Sequence, residues 1–168
     1  DPHLESFTFT GCNVGDSSLV IMDSGKKIQT LTLPMTQAGE VEGDLIYVDS
    51  IDDAESKGLE GKIVLGTNRL ALKGGFEAGA VGFVWMDPFP MMGPPTGVVP
   101  SLFPSVSIKH EDGLMLKRLI EKKGISVIIN AECEVFERES WNVCGEINGN
   151  GDGSHVLLGG HYDGHEIA

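Results

Sequence analysis

Close to the C-terminal end an apolar run, Val156-Leu157-Leu158-Gly159-Gly160, leads into His161-Tyr162-Asp163-Gly164-His165-Glu166. An imidazole at a strand end offers a metal one ring nitrogen, and a carboxylate two residues on can hold the other nitrogen in the right tautomer. His161 is therefore the candidate zinc ligand and Asp163 the residue that orients it. Alternation along an extended segment also puts positions 161, 163 and 165 on one side, which opens a second arrangement with His165 and Glu166. Terminal segments fray, however, and His165 and Glu166 are read as carrying no chemistry. A zinc site takes three or four protein ligands, and this sequence does not supply the others at ligand spacing. The expectation is a segment of a larger enzyme, holding no catalytic residue of its own, silent by itself and binding no metal.

Other chemistries fit less well. Ser105 and Ser107 lie near His110, but there is no G-x-S-x-G elbow and no oxyanion loop. The glycines have neither Walker nor dinucleotide spacing. His3, His110 and His155 show no ligand spacing and are expected on the surface, while Trp85 and Trp141 are expected to pack. A net charge of −13 repels phosphate backbones and argues against nucleic acid. No apolar stretch approaches the ~20 residues that span a bilayer, and no secretory h-region follows Asp1. Cys12, Cys133 and Cys144 are widely spaced with no C-x-x-C pair, so no disulfide framework is indicated and a reducing, cytoplasmic compartment is favoured.

The elements that must position these residues follow from periodicity and punctuation. Leu19–Met22 and Ile28–Leu33 flank Asp23-Ser24-Gly25-Lys26-Lys27 and predict a hairpin. Asp44–Asp49 and Lys62–Leu65 read as short strands joined by a helical turn or two over Asp52–Lys57. Leu70–Ala78 reads as a helix capped by Asn68 and stopped by Gly79; Gly74 and Gly75 inside it cost about 1 kcal/mol each relative to alanine, which close packing would offset. Val81–Met86 is an unbroken apolar run, as in a strand buried on both faces.

Between Asp87 and Pro104 stand Pro88, Pro90, Pro94, Pro95 and Pro100. Proline denies backbone donors and fixes φ, so a long ordered loop is expected here. Its Phe89, Met91, Met92 and Phe103 are candidates either for closing their own domain or for a substrate-facing wall. Ser105–Lys109 resumes a strand. Glu111–Lys123 is a helix with acids in its first turn, lysines in its last and Gly124 to end it. Ile125–Ile129 is a strand, an extended stretch begins at Cys133, and a final strand starts at His155.

The middle of the chain resembles a protease-associated (PA) domain in Gly61-Lys62-Ile63-Val64-Leu65, a helix carrying Lys73, Ala78-Gly79-Ala80-Val81-Gly82-Phe83-Val84, then Pro104-Ser105-Val106-Ser107-Ile108 and Asp112-Gly113. It departs from that pattern at Gly74-Gly75 and in lacking a cysteine after the GKIVL strand. The tail is similar to the opening of the catalytic domain in zinc-dependent aminopeptidases of the bacterial leucyl aminopeptidase and glutamate carboxypeptidase type. Trp141-Asn142-Val143, Gly145-Glu146-Ile147, the turn Gly149–Gly153 and the run into His161-Tyr162-Asp163 carry that likeness.

The resemblance implies an α/β fold of mixed α+β character: a PA-type barrel or sandwich with flanking helices, followed by strands of an α/β zinc-peptidase domain. It divides the chain into a lead-in over 1–18, the PA domain over 19–132 and the start of the peptidase domain over 133–168. It makes His161 the first ligand of a zinc site and Asp163 its orienting partner, with peptides as substrates of the intact enzyme. A binding module without catalysis is the alternative, and oligomeric state is unassigned.

Overall fold

The computed structural model describes residues 2–97, 100–147, 149, 151 and 156–160. Eight strands form one mixed sheet in the order β2-β1-β8-β4-β5-β6-β7-β3. The strands are β1 (Pro2–Ile21), β2 (Lys26–Ile28), β3 (Leu31–Thr32), β4 (Gly39–Tyr47), β5 (Ile63–Gly66), β6 (Gly82–Met86), β7 (Ser105–Ile108) and β8 (Ser126–Gly145). The described residues also form three helices: α1 (Ile51–Ser56), α2 (Arg69–Glu77) and α3 (His110–Lys123). The chain divides into two compact units, one over Phe9–Arg138 and one made of its two ends, through Thr8 and from Glu139 onward.

The larger unit is organised by strands buried on both faces. β4, β5, β6 and β7 run parallel to one another, with Leu45 opposite Ile63, Val64 opposite Phe83 and Val84 opposite Val106. Successive side chains on a strand point to opposite faces, so Ile63, Leu65, Val84, Met86, Val106 and Ile108 pack with Leu116 of α3. Val64 and Phe83 point the other way, to Ala54 of α1 and Ala71 of α2. Helices on both faces of a parallel sheet explain the continuous apolar runs.

Local chemistry sets the helix ends. Asn68 accepts from the Ala71 N–H at 2.9 Å and Ser50 from the Asp53 N–H at 3.1 Å, each meeting an orphan donor of the first turn. Gly124, at φ 65, ends α3 as expected. In α2 the packing reading of the paired glycines is borne out: a Cβ on Gly75 would lie 2.9 Å from Val64 Cγ2, and one on Gly74 would lie 2.9 Å from Ala54 Cβ.

A hairpin forms, with Leu19 opposite Ile28 and Gly25 in the left-handed region at φ 64, but its second strand is Lys26–Ile28 rather than the expected Ile28–Leu33. β4 changes partner along its length: Gly39–Asp44 pair antiparallel with β8, and Leu45–Tyr47 pair parallel with β5. At the far edge, β3 pairs antiparallel with β7. The Thr32 hydroxyl donates to the carbonyls of Gly15 and Asp16, at 3.2 and 3.0 Å, so the sheet curls until its last strand touches β1.

Three expectations are corrected. Residues 2–18, left without an element in the sequence reading, belong to β1, and the stretch from Cys133 is one continuous strand with Ser126–Ala131. Both regions mix polar and apolar residues on half-exposed strands, which carry little periodic signal. Val156–Gly160 forms no strand, and Val156, Leu157 and Leu158 are 89, 94 and 90% exposed. An apolar run becomes a strand only where a neighbour takes up its backbone bonds, and these residues have no ladder partner among the described residues. No described helix is long and apolar enough to cross a membrane.

Candidate functional site

His161 and Asp163 lie outside the described residues, as do His165 and Glu166. The candidate site that the structure does describe is the proline-rich loop between β6 and β7, in the larger unit.

Its first root is held by three side chains. Asp87 is buried; its carboxylate accepts from the Phe89 N–H at 2.8 Å, and its own N–H donates to the Ile108 carbonyl at 3.1 Å. His110 Nδ1 lies 2.9 Å from the Asp87 carbonyl, an acceptor only, so that nitrogen carries the proton. His110 is half-buried rather than a surface residue, and its role is to fix the loop. Glu111 then accepts from the Met91 N–H at 2.9 Å. That bond, ahead of its own backbone N–H, holds the Glu111 carboxyl below the usual carboxylate range.

The second root is a hydroxyl cluster. Thr36 and Ser101 both donate toward the Phe103 carbonyl at 2.9 Å, and Ser101 Oγ lies 2.8 Å from Ser105 Oγ. Backbone bonds between Ser101 and both Met35 and Gln37 complete it. Met35 and Met91, one at each root, sit at φ 67 and φ 64, which L side chains adopt only where surroundings enforce it.

The four apolar loop residues separate accordingly. Phe103 is 5% exposed and packs against Phe76 of α2 at 5.8 Å between centroids, so it closes its own core. Phe89, Met91 and Met92 are 66, 93 and 60% exposed. They are joined by two residues that the sequence reading passed over: Leu102, on the surface at the second root, and Phe76, whose ring lines a groove with Leu72, Pro100 and Leu102. Leu102 stood in the same loop and was legible as an apolar surface residue. Phe76 was not, because helical periodicity does not say which residue a distant loop will meet. The loop surface offers apolar contact, as interaction surfaces do.

The titrating groups around the larger unit are structural. Asp44 is held below its ordinary range by the Lys62 ammonium and then by the Ser126 hydroxyl. Such exposed pairs contribute little. Burial pushes the Tyr47 phenol up, and Lys117 stands 3.8 Å over its ring.

No protein-family model and no curated protein match this sequence. Solved structures do. An aminopeptidase from Aneurinibacillus sp. strain AM-1 matches 85% of this chain over 37% of its own, with TM-score 0.74 and 20% identity. BSAP, a zinc aminopeptidase from Bacillus subtilis, matches 85% over 36%, with TM-score 0.62 and 18% identity. A subtilisin-like protease, Apa1, from the Antarctic psychrotroph Pseudoalteromonas sp. AS-11 matches 75% over 35%, with TM-score 0.53 and 17% identity. At these identities the likeness establishes the fold, a mixed α/β architecture that those structures share. The chain spans 37 and 36% of the length of the two aminopeptidases.

Proposed function

We propose that this chain is the PA-type module of a zinc-dependent exopeptidase together with the opening strands of its peptidase domain. The observation that carries this reading is the match to two aminopeptidases over 85% of this chain, alongside the tail that ends in His161-Tyr162-Asp163. In the parent enzyme His161 is the first zinc ligand and Asp163 fixes its tautomer by accepting from the second ring nitrogen. An imidazole suits zinc as a donor. The bound metal, in the intact enzyme, supplies Lewis-acid polarisation and a nucleophilic water at neutral pH. The chain's own contribution is to bind: Phe89, Met91 and Met92 present an apolar surface to peptide substrates, held at a fixed height by the Asp87, His110 and Glu111 contacts. By itself the chain holds no metal at His161 and does not turn over.

A second reading is favoured by one specific observation. The same fold matches part of a subtilisin-like protease, so it is not tied to one chemistry, and a module that only binds peptide or protein is compatible with it. Zinc content and aminopeptidase activity of the intact gene product separate the two. One or two equivalents of zinc and turnover that disappears in His161→Ala support the exopeptidase. An inactive product whose metal content is unchanged in His161→Ala and that still binds peptide through the loop supports the binding module.

A further inference from the structure

His3, Glu5 and Cys144 belong to the unit made of the chain ends, and they converge. His3 and Glu5 are two apart on β1 and so share one side of the strand. β8 runs beside β1, and a Cβ on Gly145 would lie 4.0 Å from Pro2 Cα, so the end of β8 reaches the start of β1. One imidazole nitrogen, one carboxylate oxygen and one thiol sulfur, all within 4.8 Å of one another, are the result. His3 Nε2 and Glu5 Oε1 already stand 3.3 Å apart.

These separations are close to what a metal needs. A tetrahedral zinc with Zn–S of about 2.3 Å and Zn–N or Zn–O of about 2.0–2.1 Å sets its ligand atoms about 3.3–3.6 Å from one another. The imidazole and carboxylate meet that spacing as they stand, and the Cys144 sulfur lies within 4.8 Å of both. Thiolate with imidazole selects a borderline ion such as zinc or cobalt(II) over magnesium or calcium, which take oxygen ligands. His3 and Glu5 are exposed and Cys144 half-buried, so the ion can enter and a fourth position stays open to water.

We infer that His3, Glu5 and Cys144 form a surface site for a zinc-class divalent ion, distinct from His161, in which the ion clamps the start of β1 to the end of β8. The thiol binds as thiolate and its proton passes to the buffer. The site requires nothing of the proposed peptidase activity.

Cobalt(II) titration of the full chain under reducing conditions tests it, read by the near-ultraviolet thiolate-to-cobalt charge-transfer band. The band is expected to saturate at one equivalent, to be displaced by zinc and to vanish in Cys144→Ser. His3→Ala and Glu5→Gln should each weaken the apparent affinity about tenfold or more. His161→Ala should leave the band unchanged. Cys12 and Cys133 are also free thiols, so a band that survives in Cys144→Ser would assign the metal to them and overturn the site. Absence of a band in the unaltered chain, or its loss in His161→Ala, would overturn it equally. Should Cys144→Ser melt early, Cys144→Ala in the same titration replaces it.

Discussion

The backbone N–H of Met91 donates to the Glu111 carboxylate at 2.9 Å, tying the loop after β6 to the first turn of α3. Met91 is left-handed at φ 64. An ionised acceptor makes a stronger bond than a neutral one, and here it holds a backbone conformation that the residue itself disfavours.

The bond makes the loop acid-sensitive. The folded pKa of Glu111 is depressed, so its contribution is complete above the ordinary value of 4.5 and is lost as pH falls through the lower folded value. The Met91 amide proton shift should therefore titrate with a midpoint below 4.5 and lose that step in Glu111→Gln. A flat Met91 shift in the unaltered chain would contradict the pinning role.

Replacing Met91–Thr96 by a short glycine linker should cost only about 1 kcal/mol, since Met91 and Met92 are exposed and the main loss is the backbone restriction of half-buried Pro94 and Pro95. In the exopeptidase proposed above, the same change should alter KM across several peptides. Phe103→Ala should do the reverse, destabilising by about 3–5 kcal/mol, because its ring is buried against Phe76. Unchanged KM in the linker variant would mean that Phe89, Met91 and Met92 do not face substrate.

Gly75→Ala pits helix propensity against packing. Alanine gains about 1 kcal/mol in a helix interior, but its methyl would stand 2.9 Å from Val64 Cγ2, on a fully buried, β-branched side chain with little freedom to move. Overpacking costs about 1–3 kcal/mol, so a net loss of about 1 kcal/mol is expected in a denaturant melt. A stabilised variant would refute close packing as the reason for the glycine.

In the intact gene product, His161→Ala should abolish aminopeptidase turnover and Asp163→Asn should lower metal affinity or rate by roughly 10–100-fold. Normal zinc content and rate in both variants would remove His161 and Asp163 from the site.

Much of the larger unit was legible residue by residue. Asn68 caps α2 because its side chain reaches only the nearby Ala71 N–H, and acids, lysines and Gly124 mark the two ends of α3. The run Gly82–Met86 reads as a strand because burial on both faces leaves no polar alternation to obscure. These are local relations, spanning a few residues. That the segment after β6 is a loop was legible for the same reason: prolines exclude regular structure without help from the rest of the chain, but they do not say which of its apolar residues will be exposed.

What only the tertiary structure decided joins residues far apart in sequence. Phe103 carried the same signal as Phe89, and its burial depends on where Phe76 stands. His3 has Glu5 two residues on, but its third neighbour, Cys144, lies on another strand whose register no local pattern encodes. Val156–Leu158 had the composition of a buried strand and has no ladder partner among the described residues. Caps, turns and apolar faces are properties of a segment, whereas a strand pairing, a buried ring or a ligand set belongs to two segments at once and exists only when the fold brings them together.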